Sequence, residues 1–152
     1  MRRRWKTDPG DEHFLTVLRP LVETYFAFLL KSGRHIRSLG FTPSQFDVIA
    51  TLGDTDGMTC KELSEKTLVT KGTLTGVMDR LEMKGLIERV PSQRDRRSTI
   101  IRLTTKGDQV FQKVFPTHIY YMKPYFEKTL NPSEMERLQG MLLKLKRSLE
   151  KG

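Results

Sequence analysis

Residues 59–103 read TCKELSEKTLVTKGTLTGVMDRLEMKGLIERVPSQRDRRSTIIRL, and the order of elements they encode decides the fold. Thr59-Cys60-Lys61-Glu62 is a capping box: a threonine oxygen and a glutamate three residues on each satisfy a backbone N–H that a helix start leaves orphaned. It predicts a short helix over Cys60–Lys66. Thr67-Leu68-Val69-Thr70 then forms a turn, and Lys71–Lys84 a second helix. That helix places Leu74, Val77, Met78 and Leu81 at helical spacing and ends on the stop signal Gly85. Two short β-branched runs follow, 86–90 and 99–103, joined by the polar Ser92–Ser98. They predict a hairpin with a long charged tip. Helix, turn, helix, hairpin is a winged helix-turn-helix.

This arrangement suits duplex DNA, because the first helix braces the second and the second offers its amino-terminal residues to base edges in the major groove. With the apolar stripe turned inward, the outward face holds Thr70, Lys71, Gly72, Thr73, Thr75, Gly76 and Arg80. Small residues let a helix sit deep in a groove, and threonine offers a hydroxyl to phosphates or bases and a methyl to thymine. Threonine is a mediocre helix former, so two on one exposed face point to a use. Lys71 stands at the helix amino terminus, where backbone N–H groups also favour an anion. The hairpin tip carries Arg94, Asp95, Arg96 and Arg97. Three arginines on a narrow protrusion match a minor-groove or backbone reader. A charge run is usually just a solvated turn, but this one directly follows a helix-turn-helix. Asp95 would repel phosphate if it faced out, so it is expected to pair with Arg97 or Arg80 and fix the loop's shape.

Outside the lobe the chain reads as helix. Thr42-Pro43-Ser44-Gln45 and Asn131-Pro132-Ser133-Glu134 are further helix starts, each with proline at the first helical position. They open helices over 43–52 and 132–150. A long first helix is expected from about Glu12 to Leu39, kinked or split by Pro20, and another from Thr105 to about Leu130, bent at Pro116 and Pro124. The fold class is therefore mainly α with a small β-hairpin wing. Residues 1–40 form an N-terminal helix, 41–104 the winged helix-turn-helix, and 105–152 the C-terminal helices. An apolar fraction of 37% is lean for 152 residues. Long helices at this balance are expected to bury part of their apolar surface against a second copy.

The net charge is +9. Lys61–Lys106 holds eleven Lys/Arg against six Asp/Glu, which favours a polyanionic partner. No apolar run approaches the roughly 20 residues that cross a bilayer, and no secretory-type segment follows the basic start; a soluble, cytoplasmic protein without a membrane partner is expected. Cys60 is the sole cysteine, so no intrachain disulfide forms. It reads as a semi-buried structural cysteine ahead of a redox sensor. His13, His35 and His118 show no metal-ligand spacing, and neither a phosphate loop nor a nucleophile–base signature appears. No cofactor and no metal are expected. An enzyme is the weakest reading, since Asp79 and Asp95 make no persuasive pair. A protein–protein interaction module on the same fold is the stronger alternative, but it has no need of three arginines at the wing tip.

The run Leu81-Glu82-Met83-Lys84-Gly85-Leu86-Ile87-Glu88-Arg89, then Asp95-Arg96-Arg97 and Leu103-Thr104, resembles the MarR family of bacterial transcription regulators. Leu39-Gly40-Phe41-Thr42-Pro43-Ser44-Gln45-Phe46 is similar to that family's entry into its second helix. The resemblance implies a homodimer on a pseudo-palindromic operator, with the first, fifth and sixth helices interleaved between subunits. It implies a repressor released by a small molecule or an oxidant. Where many members carry an arginine on the recognition helix this chain has Gly76, which shifts the expected weight toward Thr73, Thr75 and the wing. The resemblance also implies a pocket for a small aromatic or anionic ligand near Arg34, His35, Phe41 and Phe46, although the phenylalanines read more simply as core.

Overall fold

The computed structural model describes residues 13–151. Its elements are α1 (Phe14–Ser38), α2 (Pro43–Leu52), β1 (Met58–Thr59), α3 (Cys60–Lys66), α4 (Lys71–Met83), β2 (Ile87–Pro91), β3 (Thr99–Leu103), α5 (Thr105–Glu127) and α6 (Pro132–Glu150). All three capping boxes form. The side chains of Thr42, Thr59 and Asn131 accept from the N3 amide, while Gln45, Glu62 and Glu134 reach back to the cap amide. Each cap contributes about 1 kcal/mol. The backbone N–H of Thr59, then its hydroxyl, hold the Glu62 carboxyl below its ordinary range.

The core belongs to the lobe. Val48, Ile49 and Leu52 of α2, Leu63 of α3, and the whole predicted stripe of α4 (Leu74, Val77, Met78, Leu81) pack with Ile87, Ile101 and Phe111. The sheet is antiparallel in the order β1-β3-β2, with Ile87 opposite Leu103 at one end of the hairpin and Pro91 opposite Thr99 at the other. Strand β1 lies outside the sequence expectation, because two residues carry no periodicity. Met58 pairs with Ile101 and Thr59 with Ile100. The signal for it is Gly57, at φ +97°, where an added Cβ would lie 2.7 Å from the carbonyl oxygen of Ile101. Only glycine brings the chain that close to β3.

Pro20 does not split α1, which runs through it as one helix. Its position early in the helix forfeits a single intrahelical N–H. The expected start at Glu12 lies outside the described residues, as does the basic segment before it. Helix α5 likewise continues through Pro116 and Pro124, and ends at Glu127 rather than Leu130.

The helices flanking the lobe are a different matter. Only Ser32, Gly33 and Ile36 of α1 are buried, all near its carboxy-terminal end, and α6 buries nothing. Phe14, Val17, Leu18, Tyr25, Phe26 and Leu30 of α1 stand exposed, as do Leu138, Met141, Leu142, Leu145 and Leu149 of α6. No helix among the described residues is long and apolar enough to cross a membrane, and none of their His, Cys, Asp and Glu side chains gather into a group of three that could hold a metal.

Candidate nucleic-acid interface

Helix α4 shows two faces. Its four apolar residues are buried, and Lys71, Gly72, Thr73, Thr75, Gly76 and Arg80 are all exposed together with Thr70. A Cβ at Gly72 or Gly76 would meet nothing within 4 Å, so these glycines keep the outward face low rather than relieve an internal clash. The start of α4 also differs from those of α2, α3, α5 and α6. Each of those is capped by a side-chain oxygen, whereas the Thr70 hydroxyl caps no amide and donates instead to Thr73 Oγ1 at 3.0 Å. No side chain therefore occupies the first amides of α4, beside Lys71, an arrangement that favours a phosphate.

Three acidic residues of the lobe, Asp79, Glu82 and Glu88, are turned to structure. Arg89 of β2 binds both Asp79 and Glu82 of α4, the Asp79 contact at 2.7 Å; the Asp79 hydrogen bond raises the guanidinium's pKa further. Arg102 pairs with Glu88 across the hairpin at 2.7 Å. By contrast, Arg94, Arg96 and Arg97 at the tip form no ion pair among the described residues, and all are exposed. Asp95 departs from expectation. It bonds neither the Arg97 guanidinium nor Arg80; its Oδ1 accepts the Arg97 backbone N–H at 2.9 Å, and its carbonyl accepts from the Ser98 amide and hydroxyl. Ser92 Oγ accepts from the amides of Arg94 and Asp95. The loop's shape is thus fixed through its backbone, which leaves all three guanidinium groups for an outside partner.

Cys60 is exposed rather than semi-buried. As the first residue of α3 it faces a cleft of about 300 Å³ between α3 and α4, lined also by Lys61, Ser64, Lys71 and Thr75.

The proposed ligand residues divide. Arg34 is exposed, and Phe41 packs on the core beneath the Lys84 ammonium, 5.3 Å from its ring centre. His35 and Phe46 do meet, around a residue that sequence reasoning missed. His118 of α5 is buried; its Nδ1 lies 2.9 Å from His35 Nδ1 and its Nε2 lies 3.1 Å from Ser32 Oγ. Tyr121 stacks on His35 with ring centres 3.8 Å apart, and Phe46 meets His118 edge-on at 4.9 Å. Burial, and then the neighbouring His35, push the His118 pKa below its ordinary 6.5. No local pattern signals this cluster, since its members are far apart in the chain.

A helix-turn-helix with an uncapped, small-faced second helix and a hairpin ending in unpaired arginines defines the winged-helix class of DNA-binding proteins. The MarR family profile matches residues 41–99. The chain is 31% identical over 109 residues to the HTH-type transcriptional regulator MhqR of Bacillus subtilis, covering 72% of this chain and 74% of that one. Its fold superposes on AbsC, a MarR family transcriptional regulator from Streptomyces coelicolor, with a TM-score of 0.83 at 23% identity, covering 98% and 99% of the two chains. It superposes on a mutant MarR from E. coli complexed with operator DNA with a TM-score of 0.75 at 25% identity, covering 91% and 99%. The chain belongs to the MarR family, and it is a DNA-binding transcription regulator.

Proposed function

We propose that the chain is a cytoplasmic homodimeric repressor that binds a pseudo-palindromic operator. Helix α4 enters the major groove on Thr73 and Thr75, with Lys71 on phosphate, and the wing tip reaches the flanking minor groove or backbone with Arg94, Arg96 and Arg97. The exposed apolar faces of α1 and α6 supply the dimer contact. A small aromatic or anionic ligand acts at the His35–His118–Phe46 cluster, where the helical flank meets the lobe. The observation that carries the reading is the contrast in charge pairing: the carboxylates of Asp79, Glu82 and Glu88 hold Arg89 and Arg102, while the three tip arginines have no carboxylate among the described residues.

The test replaces Arg94, Arg96 and Arg97 with alanine and titrates duplex DNA at several salt concentrations. Affinity is expected to fall at least about 100-fold, and the salt slope to flatten by about 0.9 for each phosphate no longer neutralised, with the dimer intact by light scattering. Unchanged affinity would move the reading to a protein-binding winged helix.

A further inference from the structure

Between α3 and α4 the chain must turn, and the angle of that turn sets how α4 meets a groove. Thr67 caps α3, since its amide and hydroxyl both return to the Leu63 carbonyl, at 2.9 and 2.8 Å. Val69 is anchored by burial, and Thr70 opens α4 through its carbonyl. Leu68 has neither kind of anchor on its side chain, which is 91% exposed. Its amide is tied elsewhere, donating to Asp47 Oδ2 on α2 at 2.7 Å. Among the described residues this is the hydrogen bond of the 67–70 turn that leaves the α3–α4 unit.

We propose that Asp47 is a positioning residue for DNA reading: from α2 it holds the Leu68 amide and so fixes the angle at which α4 is presented. The proposal rests on the reading of α4 as the groove-entering helix. Asp47 is half-buried at that junction. Burial pushes its carboxyl up, and the Leu68 N–H opposes that; the carboxylate's compensation for its setting is the bond to the turn. Hydrogen bonds to ionised groups are among the stronger ones in proteins. The placement on α2 has a consequence. Phe46, the adjacent residue, meets His118 of α5, so two successive residues of one helix touch the helical flank and the reading head.

The experiment uses the full chain, a duplex selected from a random library by the wild-type protein, and a scrambled duplex of equal length. Asp47→Ala is expected to lower affinity for the selected duplex about tenfold, equivalent to about 1.4 kcal/mol, while affinity for the scrambled duplex and the salt slope stay as they were. Asp47→Asn, which keeps a carbonyl oxygen at the same reach, is expected to retain most of the preference. Exchange of the Leu68 amide should accelerate in the alanine variant and not in the asparagine one. Should alanine unfold the lobe, Asp47→Ser, whose shorter side chain cannot reach the amide, takes its place with the same expectation. Equal losses on both duplexes would reduce Asp47 to a stability role, and an asparagine variant as weak as the alanine one would exclude the hydrogen bond as the cause. A preference unchanged in every variant overturns Asp47 alone. A wild-type protein with no preference overturns the groove-entering role of α4, and the positioning role with it.

Discussion

The winged lobe and the helices that flank it solve the problem of apolar surface in opposite ways. In the lobe, helices and a three-stranded sheet enclose Leu63, Leu81, Ile87 and Ile101 almost completely. In α1 and α6 the apolar residues are as regular, but they face outward: Leu30 is 61% exposed and Leu149 72%. Contiguous exposed apolar surface of this kind marks an interaction face. The lobe encloses its core within one chain, while α6 has no buried residue there. In the proposed function, reading DNA and assembling fall to these separate parts, so a substitution can be aimed at one without the other.

The largest effect is expected from breaking the flank. Leu142→Asp with Leu145→Asp removes four leucines per dimer from the outward face of α6. Burial of each contributes about 1.5–3 kcal/mol, or roughly 6 kcal/mol in all at the low end. That corresponds to about four decades in the dissociation constant, readable by analytical ultracentrifugation. Dimers of unchanged affinity would show that α6 is not part of the interface. The second effect is confined to the lobe. Leu81 is fully buried, so Leu81→Ala should cost about 2–5 kcal/mol in denaturant unfolding. The distinction lies in concentration. Loss at Leu81 should appear as the same shift at every protein concentration, whereas loss at the flank should vanish where even the wild-type chain is monomeric and grow to a plateau as concentration rises, because association stabilises by mass action.

How much of this is legible in the sequence follows the same division. The capping boxes, the α4 stripe and the hairpin are local patterns, and each forms, the first hairpin strand being shifted by one residue to Ile87–Pro91. The long-range features are not legible. Nothing within a few residues of His118 announces that it will meet His35 and Ser32, and nothing beside Asp47 announces Leu68. Strand β1 depends on pairing with β3, a partner some forty residues on, with Gly57 as its one local trace. Asp95 shows a subtler failure. Its role in shaping the loop is readable from charge, but its partner is a backbone amide, which sequence does not distinguish from a guanidinium. The exposure of Cys60 escapes the sequence too, because the first turn of a short capped helix can face either core or solvent.

The smallest effect concerns the place where the two regions meet. His118 joins α5 to Ser32 and His35 of α1 and to Phe46 of α2, with Tyr121 on the far face of His35 and the Lys31–Tyr125 contact on the same two helices. Its pKa in the folded protein is lowered from 6.5, so the unfolded chain takes up a proton at a higher pH than the folded one. The contribution to stability is therefore complete above pH 6.5, is lost as pH falls from there toward the folded value, and changes no further below it. The slope in that window is at most about 1.4 kcal/mol per pH unit for one proton. Denaturant midpoints taken between about pH 7.5 and 5 should show it, and His118→Gln, which keeps a polar partner for Ser32 but does not titrate, should flatten it. If the variant keeps the wild-type slope, the proton belongs elsewhere. If instead the slope vanishes, the linked proton is the one on His118, at the junction between flank and lobe.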